Sequence, residues 1–432
     1  MVLPARLFTL AVLCTALSGC GLLKMVPPTP QQQANEPPPP APEPVATTVE
    51  PVDASIEADI LFPPPVALTR KKSRWVPAEW HELPGFGNDS PEQAWDSWLH
   101  SCARPPREFA RLCGEVRQHR NAPDADRLQW MKGNLQPYRV ETLRGNSSGL
   151  LTGYFEPTIA ARRKRDFFFR YPVYRQPAAM NPRKRWYSRR EMDTLPAAMK
   201  ALKGHTIAWL SSPVEILMLQ TQGNAVLRIT EPDDTISHAR LQFANTNQNP
   251  AASAGKWLRG RREITNTSWD ALQEWVNKNP QRGHELLWAN PQVVFFREQP
   301  VAESDLAVGP QGAHGVPLTA RRSIAVDRDS IPFGTPVWMA STGATGALKK
   351  LVFAQDTGGG IQGAVRADFY VGSGKDAGEL ASRIRQPLQL WVLWPKPAPL
   401  PPAIPVTIAR PPPELSHEEA EPPPTVTGSL AH

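Results

Sequence analysis

The pattern of apolar and polar positions changes partway along the chain. Between residues 90 and 116 the apolar side chains, among them Trp95 and Trp98, recur at helical spacing, and two prolines at 105–106 interrupt the pattern. The stretch 125–140 continues in the same style. The sequence therefore predicts an αα-hairpin followed by a further helical segment.

After residue 148 the period becomes the alternation that is typical of β-strands. The predicted strands are 148–159, 167–177, 207–212, 214–229, 238–244, 292–298, 323–329, 335–340, 349–356, 364–372 and 387–394, and helices are predicted at 188–195 and 268–281. Many short strands with few helices between them favour barrels over a doubly wound sheet. The predicted fold class is therefore mainly β (α+β), with N-terminal helices.

The segment 351–374 carries the candidate chemistry. An apolar strand leads to Asp356, a run of three glycines follows, and a second strand carries Asp368. Because side chains alternate along a strand, Asp368 shares one face with Arg366 and Tyr370, and glycines let a backbone approach a ligand or turn sharply. Asp368 is a candidate acid near a second carboxylate. A turn aspartate and a solvated strand aspartate fit the spacing equally well.

Both ends of the chain are rich in proline, which accounts for 49 of the 432 residues. Residues 21–69 and 395–432 combine repeated prolines with few apolar positions, a composition typical of extended, disordered segments. The sequence predicts a tether and a tail there. The part between them, 70–394, is large enough for two hydrophobic cores.

Residues 1–20 have the composition of a lipoprotein signal peptide. Arg6 precedes an apolar run at 7–17 that is too short to span a bilayer, and the segment ends in LSGC, which is similar to a bacterial lipobox. In such segments Cys20 becomes the lipidated N-terminus, and Gly21 resembles an outer-membrane sorting signal. We expect a lipid anchor at the periplasmic face of the outer membrane, with an ordinary signal peptide as the alternative.

The remaining cysteines and charges restrict the function classes. Cys102 and Cys113 lie in a compartment where disulfides persist, and either a bridge or two buried free thiols fits them. The nine histidines form no ligand motif, so we expect no metal site and no cofactor. The net charge of +7 includes basic clusters at 162–165 and 183–190. For an exported protein this favours an anionic envelope polymer or membrane over nucleic acid.

Several motifs, in chain order, resemble the membrane-bound lytic murein transglycosylase A family, over most of residues 152–394. They are TGYFEP at 152–157, YPVYRQP at 171–177, MLQTQG at 218–223, NPQVVFFR at 290–297, GVPLTARRSIAVDRDSIPFGTP at 315–336 and QDTGGGIQGAVRADFY at 355–370. The resemblance implies a double-psi β-barrel domain built from 70–161 and 290–394. A smaller β-rich substrate domain is inserted at 162–289, and a groove for a glycan strand lies between the two.

The resemblance also implies the reaction. The family cleaves the β-1,4 bond between N-acetylmuramic acid and N-acetylglucosamine in peptidoglycan and forms a 1,6-anhydromuramoyl end. Its catalytic aspartate matches Asp368, and two supporting aspartates match Asp356 and Asp327. One carboxyl suffices because the C6 hydroxyl attacks within the same sugar. Burial and the charges of Asp356 and Asp327 are expected to raise the pKa of Asp368. The candidates that line the groove are Tyr154, Gln222, Gly223, Gly358, Gly359 and Tyr370.

The expected partners are peptidoglycan glycan strands and the membrane through Cys20, with cell-wall synthesis complexes as further candidates. The chain departs from the family pattern at 222–225, where QGNA replaces the common QGSG, and at 245–256, where a tyrosine is missing. An aspartic protease is disfavoured because the DTG at 356–358 has no second copy. The other hypothesis is a non-catalytic peptidoglycan-binding lipoprotein, since a fold does not determine a function.

Overall fold

The computed structural model describes residues 64–397. The predicted signal peptide with Cys20, most of the predicted tether and nearly all of the predicted tail lie outside the described residues. The strands are β1 (Leu68–Thr69), β2 (Arg74–Pro77), β3 (Leu135–Glu141), β4 (Gly149–Glu156), β5 (Thr158–Arg162), β6 (Tyr171–Tyr174), β7 (Thr206–Leu210), β8 (Asn224–Thr230), β9 (Ile236–Thr246), β10 (Val294–Pro300), β11 (Ser323–Val326), β12 (Pro336–Gly343), β13 (Gly346–Asp356), β14 (Arg366–Ser373) and β15 (Arg385–Pro395).

The helices are α1 (Pro91–Ser101), α2 (Cys113–Gln118), α3 (Asp124–Asn134), α4 (Arg189–Thr194), α5 (Pro196–Leu202), α6 (Pro213–Gln222), α7 (Ala254–Gly260), α8 (Trp269–Lys278), α9 (Gly283–Trp288) and α10 (Lys375–Arg383). Among residues 64–397, none of the helices has the length and apolar character needed to cross a bilayer.

Nine strands form one sheet that curls into a nearly closed barrel. Their order is β1-β2-β3-β15-β12-β13-β11-β14-β4, and β15 also pairs with β4, which joins the two sides of the six-stranded part. Two of its pairings, β11 with β13 and β14 with β4, are parallel. The barrel is filled by a buried apolar cluster that includes Leu151, Ile324, Val352 and Phe369. The predicted mainly β class with a barrel is confirmed.

The N-terminal helices cover one outer side of this barrel. Trp95 and Trp98 of α1 lie in a buried cluster with Trp338 of β12 and Phe353 of β13. A disulfide joins Cys102, just after α1, to Cys113 at the start of α2, with the two Cα atoms 5.5 Å apart. Of the two alternatives that the sequence leaves open, the structure has the bridge.

The second sheet has six strands in the order β10-β9-β8-β5-β7-β6. It has its own buried core, in which Ile159, Leu227 and Leu241 pack with Leu258 and Trp275 from the helices. We propose that this sheet and α4 to α9 form the inserted domain that the sequence predicts.

The prediction of one strand over 214–229 was wrong. The structure has helix α6 up to Gln222 and strand β8 from Asn224. The Ser212 hydroxyl accepts a hydrogen bond from the Val214 amide, Pro213 occupies the first turn, and Gly223 ends the helix with φ of 77°. These capping residues identify the segment as a helix, since an apolar run alone fits a buried helix as well as a strand.

Other predicted boundaries also differ from those in the structure. The helical pattern assigned to 125–140 ends at Asn134, and Leu135 begins strand β3, which lies between β2 and β15. Residues Leu68–Thr69, placed in the tether, instead pair with Arg74 and Trp75 of β2. Helices α5, α7, α9 and α10 had not been predicted.

Candidate active site

Three neighbouring strands of the barrel bring the two aspartates of the 351–374 segment together. Ala325 of β11 is in register with Asp356 of β13 on one side and with Asp368 of β14 on the other. Asp368 is in turn aligned with Thr152 of β4. The two carboxylates, twelve positions apart in sequence, therefore lie on either side of one small residue.

Asp368 is half-buried and has one open oxygen. The Thr152 hydroxyl donates a hydrogen bond of 2.5 Å to its Oδ1, and Arg366 Nη2 donates one of 2.8 Å to the Thr152 Oγ1. Within residues 64–397 its Oδ2 has no hydrogen-bond partner and is not among the buried unpaired atoms, so it remains accessible to solvent. This oxygen is free to approach a ligand.

Burial raises the pKa of Asp368, while the Thr152 hydrogen bond and the Arg366 charge act in the opposite direction without cancelling it. The sequence had suggested that burial together with the charges of Asp356 and Asp327 raises this pKa. Burial is the largest cause, as expected, and Asp356 contributes because the two neighbouring carboxylates repel each other. Asp327 does not act on this pKa, because its charge is neutralised by Lys72. A carboxyl with a raised pKa retains its proton to higher pH and can serve as an acid.

Asp356 differs from Asp368 because both of its oxygens are occupied. The Tyr154 hydroxyl donates to Oδ2 over 2.9 Å, and the Ala313 amide donates to Oδ1 over 2.9 Å. Burial raises the pKa of Asp356, and the charge of Asp368 raises it further. Burial and Asp356 also hold the pKa of Tyr154 well above its usual value, so the phenol stays a neutral donor. Asp356 is suited to supporting the site more than to transferring protons.

Asp327 is held as an anion by other partners. Its Oδ2 accepts hydrogen bonds from Lys72 Nζ at 2.9 Å and from the Gly363 amide at 2.8 Å, and its Oδ1 accepts one from the Asp329 amide at 3.1 Å. Burial acts to raise the pKa of Asp327, but these donors outweigh it and the pKa is lowered. The carboxylate ties the end of the glycine-containing loop to the N-terminal segment, and its supporting role in catalysis stays a prediction.

Tyr370 and Tyr154 lie against each other, with ring centroids 5.4 Å apart. The Tyr370 hydroxyl is 3.1 Å from the Ser373 hydroxyl, which donates to Glu156 over 2.9 Å. Glu156 is fully buried and forms an ion pair with Arg240 of β9 at 2.7 Å. A charged pair thus connects the barrel strand β4 to the second sheet directly behind the candidate site.

Gln222, at the end of α6, also links the two sheets, because its Oε1 accepts a hydrogen bond of 3.1 Å from the Phe155 amide of β4. Gly358 and Gly359 lie on the exposed loop after Asp356 and have no left-handed φ. A Cβ placed on Gly359 would meet nothing within 4 Å. A Cβ on Gly358 would lie 3.3 Å from Ile361 Cγ1, which is a tight contact. At Gly359, neither turn geometry nor crowding within the protein requires glycine.

Sequence reasoning missed several residues of this region. Thr152 and Arg366 lie inside the quoted motifs, and the alternation that places Arg366 on the face of Asp368 was the signal available for it. Gln355 is fully buried and bonds Ser97 and Ser101, fixing α1 beside the candidate site. The pairing of Glu156 with Arg240 had no signal in the sequence, since 84 residues separate them.

In residues 64–397 no group of three or more histidine, cysteine, aspartate or glutamate side chains is arranged to hold a metal ion. A cavity of about 560 Å³ opens beside Tyr370 and is bordered by His100, Val308 and Thr319. Asp368, Asp356 and Thr152 are not among the residues that line this cavity.

Comparisons with known proteins agree on one family. The family model described as the MltA specific insert domain matches residues 150–297, and the 3D domain model matches residues 322–394. The membrane-bound lytic murein transglycosylase A of Vibrio cholerae is 30% identical over 254 residues, which cover 56% of this chain and 65% of that protein. The match therefore spans somewhat less than two thirds of this curated relative.

Two solved structures are similar over most of their length. The lytic transglycosylase LtgG of Burkholderia pseudomallei is 35% identical, with 77% of this chain and 97% of that chain covered and a TM-score of 0.54. The structure of Escherichia coli MltA with bound chitohexaose is 26% identical, with 72% and 91% covered and a TM-score of 0.58.

Proposed function

This chain belongs to the membrane-bound lytic murein transglycosylase A family, and we propose that it cleaves peptidoglycan glycan strands with Asp368 as its single acid and base. The observation that carries the proposal is the state of Asp368. Its pKa is raised, its Oδ1 is fixed by Thr152, and its Oδ2 is open. A positioned, protonated carboxyl with a free oxygen is what protonation of a leaving group requires.

The reaction follows from this one carboxyl. Protonated Asp368 donates its proton to the glycosidic oxygen, and the bond from that oxygen to C1 of the muramic acid breaks. The C6 hydroxyl of the same sugar attacks C1, and the Asp368 carboxylate accepts the hydroxyl proton. The product has a 1,6-anhydro ring, the enzyme regains its proton, and no water is consumed. An intramolecular nucleophile replaces the second carboxylate that hydrolytic glycosidases need.

Asp356 and Tyr154 have supporting roles in this proposal. Since both oxygens of Asp356 accept hydrogen bonds, it keeps Tyr154 and the Ala313 backbone in place around the acid. We infer the substrate class from the Escherichia coli relative, whose structure was solved with bound chitohexaose. A glycan strand would cross the barrel at Asp368 and contact the end of α6 at Gln222 and Gly223.

We further propose that the enzyme works at the periplasmic face of the outer membrane, anchored by lipid on Cys20. The lipobox-like LSGC segment supports the anchor, and the name of the Vibrio cholerae relative describes it as membrane-bound. The proline-rich residues between Cys20 and the described part would let the folded part reach the murein layer.

The test is digestion of purified murein by the protein and by its Asp368→Asn variant. We expect anhydro-ended muropeptides, detected by mass spectrometry, from the protein, and a loss of more than about 10²–10⁴-fold in the variant, because acid and base are both removed. Asp376→Asn, at an exposed aspartate of α10, is the matched control and should retain full activity.

Two outcomes would contradict the proposal. Near-normal turnover by a folded Asp368→Asn protein would reject the assigned acid. Binding to murein without any anhydro product would instead favour the non-catalytic peptidoglycan-binding lipoprotein.

A further inference from the structure

A turn in the second sheet displays two aromatic rings to solvent. It connects β5 to β6, and Phe167 and Phe168 at its tip are 81% and 72% exposed. Their ring centroids lie 5.2 Å apart, so the two side chains form one apolar projection. Large apolar side chains that are exposed together commonly mark a contact surface.

The turn is built to hold these rings outward. The Asp166 carboxylate accepts hydrogen bonds of 2.7 Å from the amides of both Phe168 and Phe169. Phe169 turns back towards the protein, where the guanidinium of Arg162 lies 5.4 Å from its ring centroid. The exposure of Phe167 and Phe168 is therefore a consequence of an ordered turn with its own hydrogen bonds.

Cations surround the two rings. Lys164 and Arg165 are exposed and form no ion pair with any residue of the described part, although the Arg165 guanidinium lies 5.9 Å from the centroid of the Trp209 ring. Arg162 pairs with Asp166 at 3.0 Å. Arg163 is directed inward, where it pairs with Glu231 and Glu298 at 2.8 Å each. The outer side of the turn thus combines an apolar tip with unpaired positive charge.

We propose that this turn, residues 162–170, is a membrane-contact site for anionic phospholipid. The acyl–headgroup boundary accepts aromatic rings, and phosphate groups there neutralise lysine and arginine. The carboxylates of peptidoglycan stem peptides also pair with cations, but that polymer offers no apolar phase for two exposed rings, which is why lipid is favoured. The contact would orient the folded part on the membrane and is independent of the chemistry at Asp368.

Residues 21–63 of the sequence lie between the predicted lipid anchor and the described part. A chain of that length, even as a compact coil, spans about 35 Å, which is enough for the turn to reach the same membrane. An anchor and a weak surface site acting together are the combination that stable membrane attachment requires.

The test measures how fast a soluble acetylating reagent modifies Lys164 in the processed lipoprotein, reconstituted in vesicles. Vesicles of phosphatidylcholine alone are compared with vesicles containing phosphatidylglycerol, and Lys375, which is 87% exposed on α10, is the internal reference. We expect Lys164 to be modified several-fold more slowly on the anionic vesicles, with Lys375 unchanged. High salt should reduce this protection.

The variant Phe167→Ser/Phe168→Ser should abolish the protection, and Arg165→Gln should reduce the affinity of the turn for anionic vesicles on the order of fivefold. Phe243→Ser, at a 49% exposed aromatic of β9, is the matched control and should leave the protection of Lys164 unchanged. Unchanged melting temperature and murein cleavage show that the variants are folded. Equal modification of Lys164 on both vesicles, or protection by soluble murein fragments instead of lipid, would overturn the proposal.

Discussion

Replacing Thr152 by valine tests how the protein sets the acidity of Asp368. Valine keeps the branched shape of threonine but removes the hydroxyl that donates to Asp368 Oδ1 over 2.5 Å. That hydrogen bond favours the ionised carboxylate and lowers its pKa against the effect of burial. Without it, the proton should be held more tightly, and the acidic form should persist to higher pH.

Hydrogen bonds to charged groups contribute about 1.5–3 kcal/mol, and 1.36 kcal/mol corresponds to one pKa unit. Since Asp368 is only half-buried and water replaces part of the lost bond, we expect the lower end of this range. The alkaline limb of the pH profile of kcat/KM should move up by about one unit. Murein cleavage should be measured as release of anhydro-muropeptides at closely spaced pH values.

Thr152→Ser, which keeps a hydroxyl, is the matched control and should leave the alkaline limb of the kcat/KM profile at its original pH. Arg366→Gln removes the cation that also lowers the pKa of Asp368, so it should move the limb in the same direction as valine. An alkaline limb that stays in place in a folded Thr152→Val enzyme, or that moves to lower pH, would refute the assigned role of this hydrogen bond.

Three further changes test the framework around the site. Arg240→Met should destabilise the protein by about 3–5 kcal/mol in urea unfolding at neutral pH, because fully buried Glu156 loses its counter-ion. The loss should shrink in acid, where Glu156, whose pKa burial raises, becomes neutral, and a loss independent of pH would contradict this. Replacing Cys102 and Cys113 by serine should cost about 2–3 kcal/mol by the same measurement, since the bridge closes a loop with a separation of 11 residues; an unchanged midpoint would argue against it. Gly359→Ala should leave the melting temperature unchanged because a Cβ meets nothing within 4 Å, while KM for murein should rise if a sugar packs there. Unchanged kinetics would remove Gly359 from the groove.

Local patterns were sufficient for most strands of the barrel. Along 364–372 the alternation predicted that Asp368 shares one face with Arg366 and Tyr370. In the structure Ala367 and Phe369, on the opposite face, are buried, and Tyr370 is buried as well. This succeeds because the orientation of a strand side chain depends only on its position in the strand. The quoted motifs also indicated the family, because several of them occur along the chain in the expected order.

The helix α6 shows where local patterns failed. Ile216, Leu217 and Leu219 are buried and apolar, and such a run suits a strand or a buried helix alike. The decisive signals were the cap at Ser212 and the glycine at 223, which are single residues and easily outweighed by a hydrophobic run.

The sequence by itself determined the residue types available for chemistry, the faces of the strands that carry them, and the predicted anchor outside the described residues. Only the tertiary structure decided which of these residues meet. Thr152 and Asp368 are 216 positions apart, and they touch because β4 and β14 are parallel neighbours in the barrel. The pKa of Asp368 depends on burial and on these distant partners, which exist only once the barrel has formed, because desolvation and hydrogen bonding are properties of the packed site.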